Sequence, residues 1–326
     1  MHPGFKQLKK YLNKYDKFII STHESPDADG LGAEIAFSEL LKILGKESII
    51  LNSDETPETL DFIDIDNEIK VATNDFKLPE DIEDYAHFVL DTHDFDNVGA
   101  PLQHLENRFK DHFVIDHHEG GEIKNNSLIK SDTSSACEII FEVYDYFKKT
   151  INFKSGQAIY TGMLFDTGSF RYPKTTYKTY EIAAKCVKAG ANPFNIFESI
   201  YENNSLSSFA LRSLIVSTME VLHGGKMIAM KLNTEMLEKS GALFEEGEPA
   251  INLPLTVKGV VASLLVKQNA GGPVKVSMRT KGDLDVAEIA MKNGGGGHKN
   301  AAGFKSKLSF DETYKIAIDN MNKLFG

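Results

Sequence analysis

The sequence predicts an α/β fold in two domains, a parallel-sheet domain followed by a smaller α/β domain. Three observations carry that expectation. At 326 residues the chain exceeds what a single hydrophobic core usually organises. Over its first part short apolar runs alternate with helical patterns, the βαβ rhythm of a parallel sheet. A stretch punctuated by Gly, Pro and Asn near residue 200 then interrupts the rhythm before new strand candidates begin.

Taken in order, "KFIIST" (17–22) reads as a strand, and "GLGAEIAFSELLKILG" (30–45) as a helix with Gly45 where a C-terminal cap would sit. "ESIIL", "DYAHFVLDT" and "DHFVIDHH" repeat the strand pattern. Ser135 stands three residues before Glu138 and predicts a capping box that opens "ACEIIFEVYDYF". Further helices follow to about residue 188. The expected division is a first domain over 1–190, a linker or hinge over 191–220 and a second domain over 221–326. In the second domain "KMIAMKL" (226–232) and "PVKVSMRT" (273–280) read as strands with helices between them.

Composition excludes several classes. A formal net charge of -11 argues against a basic face of the size that long DNA or RNA requires. A short anionic substrate gripped locally is compatible with it. Cys137 and Cys186 both fall in helical patterns, so they predict buried free thiols and no disulfide framework. No stretch has the length of a membrane span and the first residues lack a signal-peptide core, which predicts a cytoplasmic protein.

The informative residues lie where the strand candidates end. The first runs into "STHESPDADG", giving His23, Asp27 and Asp29 in the spacing H-x-x-x-D-x-D. "VLDTHD" ends in Asp91, "VIDHHEG" supplies Asp116, His117 and His118, and the apolar stretch "AIYTGMLFDTGSFRY" delivers Asp166. Carboxyl ends of parallel strands share one edge, where ligands bind. A lone Asp at a strand end is usually a cap. Capping does not call for four such clusters at one edge, and so many carboxylates would repel one another without a cation between them. Oxygen ligands with one or two imidazoles favour Mn²⁺, with Mg²⁺ as the alternative, and two ions would form a hydrolytic site that activates water against phosphorus. His87, His93, His104 and His112 read as surface or packing residues, and the acidic run 54–68 as a solvated face.

A second cluster, "KNGGGGHKNAAGF" (292–304), could wrap backbone N–H groups of Gly295, Gly296 and Gly297 around an anion, with His298 adding a side-chain donor. Arg279 in "KVSMRT" and Arg171 in "FDTGSFRY" are further cationic candidates.

Together these residues resemble the DHH phosphoesterase superfamily: H-x-x-x-D-x-D at 23–29, Asp91, the "DHH" of 116–118 and Asp166 match its four motifs. "GGGGHKNAAG" resembles the phosphate-binding motif of the associated C-terminal domain, from which an extra glycine and Asn300 depart. Within the superfamily the compact two-domain layout is most similar to the nanoRNase/pAp phosphatase group. The resemblance implies an active site in the cleft between the domains, hydrolysis of short oligoribonucleotides, and removal of the 3'-phosphate of 3'-phosphoadenosine 5'-phosphate (pAp). It implies one metal on His23, Asp27 and Asp91, a second on Asp29, Asp91, His117 and Asp166, and Asp116 and His118 either supporting these ligands or acting on the leaving group. Arg279, the glycines and His298 would hold phosphates and the terminal nucleotide. Family members often dimerise, so a homodimer is one expected state. Linear dinucleotides, pyrophosphate or polyphosphate are alternative substrates, and a non-catalytic metal-containing binding protein is the alternative from another class.

Overall fold

A computed structural model describes residues 2–73, 76–118 and 126–326, the side chain of His298 excepted. The chain divides into two compact units, Met1–Asn203 and Asn204–Gly326.

The first unit is built on a six-stranded sheet in which every neighbouring pair is parallel. Its strands are β1 (Lys17–Ser21), β2 (Glu47–Asn52), β3 (Ile69–Val71), β4 (Ala86–Leu90), β5 (His112–Asp116) and β6 (Ser127–Ile129). The helices are α1 (Pro3–Lys14), α2 (Ala28–Ile43), α3 (Ala100–Gln103), α4 (Ala136–Tyr146), α5 (Phe153–Asp166), α6 (Tyr177–Lys188) and α7 (Pro193–Tyr201). Strand order β3-β2-β1-β4-β5-β6 reverses direction between β1 and β4. In an open parallel sheet that reversal opens a crevice at the carboxyl ends of the two strands. The central strands are apolar on both sides, as parallel strands covered on both faces must be. Phe18, Ile20, Phe88 and Phe113 pack into the core with Leu8 of α1, Phe37 of α2 and Ile140 of α4. Ile19, Val89 and Val114 pack on the opposite face with Ile82, Tyr85 and Leu102.

Small residues let α5 lie close against α2. A Cβ on Gly32 would come within 2.5 Å of the Ala158 carbonyl oxygen. Gly45, at φ 75°, closes α2 as expected, with the Lys46 N–H donating to Leu41 O. Ser135 caps α4 through the Glu138 N–H, but the Glu138 carboxylate does not complete the box. It accepts from the hydroxyls of Ser134 and Thr179 instead, at 2.6 and 3.1 Å.

The second unit carries a mixed sheet of order β11-β12-β10-β9-β8-β7. Its elements are α8 (Leu206–Ser217), β7 (Glu220–Leu222), β8 (Met227–Leu232), α9 (Thr234–Ser240), β9 (Ala262–Lys267), β10 (Val274–Thr280), α10 (Ala287–Lys292), β11 (Gly296–His298), β12 (Ala301–Ser306) and α11 (Phe310–Asn322). The span 191–220 is therefore largely helical, holding α7 and α8 with a short break at 202–205. Asp166 ends α5, within the span expected to hold helices to about residue 188. Strands β3 and β6 are three residues each. One expectation needs correction: the region between the two strand candidates of the second unit holds strand β9 as well as helix.

Candidate metal centre

Each charged residue of the first unit's cluster is placed by an ordinary local rule. Asp27 is the N-cap of α2, its Oδ1 accepting from the N–H groups of Asp29 and Gly30 at 2.9 and 3.1 Å. Asp29, fully buried, accepts from the first two N–H groups of α4, Ala136 at 2.6 Å and Cys137 at 3.0 Å, where the helix dipole favours a carboxylate. Asp91 follows β4 with φ 61°, a left-handed conformation that Asp tolerates better than most residues and that turns its side chain off the strand direction. Asp116 ends β5 and accepts at Oδ1 from the His117 and His118 N–H groups, at 2.7 and 3.2 Å.

These elements bring six residues to one place. His23 Nε2 lies 3.8 Å from Asp27 Oδ1 and 3.7 Å from Asp91 Oδ2. His117 Nε2 lies 3.2 Å from Asp91 Oδ1, 3.2 Å from Asp166 Oδ2 and 3.7 Å from Asp29 Oδ2. The two oxygens of Asp91 thus divide between two groups, His23 with Asp27 and His117 with Asp29 and Asp166. The ligand atoms of His23, Asp27 and Asp91 converge within 4.8 Å of one another, as do those of Asp29, His117 and Asp166. A third such group joins Asp91, Asp116, His117 and His118.

The electrostatics are those of carboxylates and imidazoles crowded together under burial. Burial, then the charges of Asp91 and Asp166, push the Asp29 carboxyl well above its usual range. Burial and Asp91 bring Asp166 up to about 7, against the pull of His117. Burial opposes charge on the histidines, yet the facing carboxylates raise His23 to about 11 and His117 to about 9. Among the described residues Asp91 Oδ1 and His117 Nδ1 are buried without a hydrogen-bond partner. Orphaned donors and acceptors at the centre of a carboxylate–imidazole set fit a divalent metal.

A carboxyl whose folded pKa exceeds its unfolded one stabilises the fold while it keeps its proton. For Asp166 that stability is complete below about pH 4 and is lost as the pH rises through about 7. His117 acts in the same direction, its contribution complete below about 6.5 and lost through about 9. The melting temperature of metal-free protein is therefore expected to fall between pH 5 and pH 9 by roughly several degrees, and added Mn²⁺ to reverse the fall, as read by thermal unfolding with and without EDTA.

His93 corrects the sequence reading. Its Nδ1 contacts Asp116 Oδ2, while His118 Nδ1 lies 2.8 Å from Asp116 Oδ1. Burial would raise Asp116, but the two imidazoles hold it well below the usual carboxylate range. The available signal was its place two residues after Asp91, in the same loop at the carboxyl end of β4. His87, by contrast, is a satisfied core residue, 2.8 Å from Ser21 Oγ and 3.2 Å from His112 Nδ1. The acidic run 54–68 is only partly solvated: Asp54 accepts from the Ser25 N–H, and Asp66 and Glu68 hold Lys154.

Gly162 of α5 backs the cluster. A Cβ there would come within 2.3 Å of Cys137 Sγ and 2.7 Å of Asp29 Oδ1. Gly162→Ala is expected to cost about 1–3 kcal/mol by overpacking and to weaken metal binding with it; urea unfolding and metal titration of the variant check both.

Arg171 stands on the turn that follows Asp166, where Gly168, Ser169 and Phe170 all have positive φ. Its Nε donates to Gly168 O at 2.7 Å. The remaining candidates lie in the second unit. Arg279 of β10 is 3.7 Å from Glu248 and donates to Met278 O. The Gly294 and Gly295 N–H groups donate to Met291 O and Ala290 O, closing α10, so Gly295 does not offer its N–H to an anion as expected. Gly296, Gly297 and His298 form β11, paired with Gly303, Ala302 and Ala301; the His298 side chain lies outside the described residues.

Residues 17–163 match the DHH family, N-terminal domain, and residues 233–325 match the DHHA1 domain. The chain is a DHH-family protein. It is 29% identical over 304 residues to the bifunctional oligoribonuclease and PAP phosphatase NrnA of Thermus thermophilus, covering 92% of this chain and 87% of that one. It is 26% identical over 325 residues to the protein of the same name in Bacillus subtilis, covering 96% of each. An exopolyphosphatase-related protein from Bacteroides fragilis shares the fold, with a TM-score of 0.87 at 23% identity over 98% of this DHH-family chain and 96% of that one. Among the described residues no helix is long and apolar enough to cross a membrane.

Proposed function

We propose that this protein is a divalent-metal-dependent phosphoesterase that hydrolyses short oligoribonucleotides and pAp. The observation that carries the reading is Asp91, whose two carboxylate oxygens face two separate histidine–carboxylate groups. Near-full-length likeness to relatives named oligoribonuclease and PAP phosphatase supports the substrate class.

In this reading His23, Asp27 and Asp91 hold one ion, and Asp29, Asp91, His117 and Asp166 the other. When bound, two Mn²⁺ ions would supply water activation and charge neutralisation at the phosphoryl oxygens. The chain's own contribution is placement. The N–H groups opening α4 fix Asp29, the α2 cap fixes Asp27, and the left-handed turn at residue 91 presents both oxygens of Asp91. Asp116 orients His93 and His118. His118, half-exposed and raised above its ordinary value chiefly by its contact with Asp116, is the group that gives a proton, from Nε2, to the leaving oxygen. Arg171, Arg279 and the β11 segment take substrate phosphates. A cytoplasmic location agrees with the two buried free thiols.

The test is turnover of a five-nucleotide RNA and of pAp in parallel, with Mn²⁺ and with EDTA. Mn²⁺-dependent loss of both is expected. Hydrolysis of pyrophosphate alone would move the substrate to the pyrophosphatase branch of the same chemistry, and no hydrolysis with metal bound would make the protein a binding module.

A further inference from the structure

Cross-strand register in the second unit sets three lysines in one row. Lys275 of β10 stands opposite Lys267 of β9 on one side and Lys305 of β12 on the other, so all three leave the same face of the sheet. Like charges directly opposite one another destabilise a sheet, and a chain of net charge -11 has many acidic side chains that could separate them. Only part of the row is neutralised. Glu248 contacts Lys267 and approaches Arg279, and the Phe244 ring lies 4.9 Å and 5.2 Å from the ammonium groups of Lys267 and Lys275. Among the described residues Lys275 and Lys305 have no carboxylate partner. With Ser277 and Gly295 the three lysines line a cavity of about 710 Å³, and Glu245 and Glu248 line it too, leaving the lysines in excess by one charge.

Arg279 lies on the same face of the same strand, four residues and about 13 Å further along β10. Positive side chains spaced along one strand suit an anion that repeats its charge along a chain better than a single small one. We infer that the lysine row is a subsite for a backbone phosphate of a single-stranded ribonucleotide chain, distinct from the terminal phosphate assigned to Arg279. The inference rests on the phosphoesterase reading above. It separates the two substrates of that reading: with a terminal phosphate at Arg279, a chain of several nucleotides spans the roughly 13 Å along β10 to the row and pAp does not.

The test compares the full-length protein with a Lys275→Gln/Lys305→Gln double variant, in which both changed side chains are at least partly exposed. Binding of a fluorescein-labelled five-nucleotide RNA is followed by anisotropy with Ca²⁺ in place of Mn²⁺, across a salt series. The variant is expected to bind about tenfold more weakly, with the slope of log affinity against log salt reduced by roughly 0.7 for each phosphate it no longer neutralises, while its pAp turnover with Mn²⁺ stays at the wild-type value. Unchanged affinity and slope would overturn the subsite, and so would an equal loss for pAp, which would place the terminal nucleotide there. Wild-type pAp turnover, measured in the same series, judges the phosphoesterase reading separately, because RNA binding is read without hydrolysis.

Discussion

Asp91→Asn is expected to lower turnover of both the five-nucleotide RNA and pAp by about a thousandfold or more, the largest effect of any single change in the molecule. Among the described residues Asp91 alone faces both histidine–carboxylate groups, so its loss reaches both candidate ion sites. Asn keeps the volume and tolerates the left-handed backbone at φ 61°. The same change removes a negative charge that raises Asp29 and Asp166. It also removes the ion pairs with His23 and His117, so the two effects offset and the metal-free variant should melt close to metal-free wild type. Loss of activity with retained stability separates a functional carboxylate from a structural one; steady-state kinetics beside thermal unfolding in EDTA checks it.

Asp116→Ala has the second largest expected effect. Asp116 is fully buried and holds four groups: the N–H groups of His117 and His118 and the side chains of His118 and His93. Removing it frees His118 from its orientation and leaves His93 beside a hole. Changes to groups that orient a site's ligands typically cost about 10–100-fold in metal affinity or activity, and breaking a buried charged pair costs about 3–5 kcal/mol in stability. Turnover of pAp by Asp116→Ala should fall in that range with a lowered urea midpoint. His93→Ala should show a smaller fall, since the backbone N–H groups and His118 still engage Asp116.

Much of the site was legible because strand ends in a parallel sheet share an edge. His23, Asp91 and His117 each follow a run of apolar residues, and the switch between β1 and β4 puts those runs side by side. Asp27 shows that a cap and a ligand candidate can be one atom: the Oδ1 that closes α2 is also the oxygen 3.8 Å from His23 Nε2. What the sequence hid was set by tertiary contacts. The close approach of α5 to Asp29 depends on Gly162, where a Cβ would strike Cys137 and Asp29. His93 became a partner of Asp116 only through the pairing of β4 with β5. The glycine run looked like an anion cradle, yet two of its N–H groups close a helix, and Gly295 and Gly297 are required where a Cβ would strike the β12 backbone.

The most direct test of the central claim is anomalous diffraction from crystals of the protein grown with Mn²⁺. Two peaks are predicted, one on each side of Asp91: the first against His23 and Asp27, the second against Asp29, His117 and Asp166. A single peak held by Asp116 and His118, or no peak at Asp91, would contradict the account.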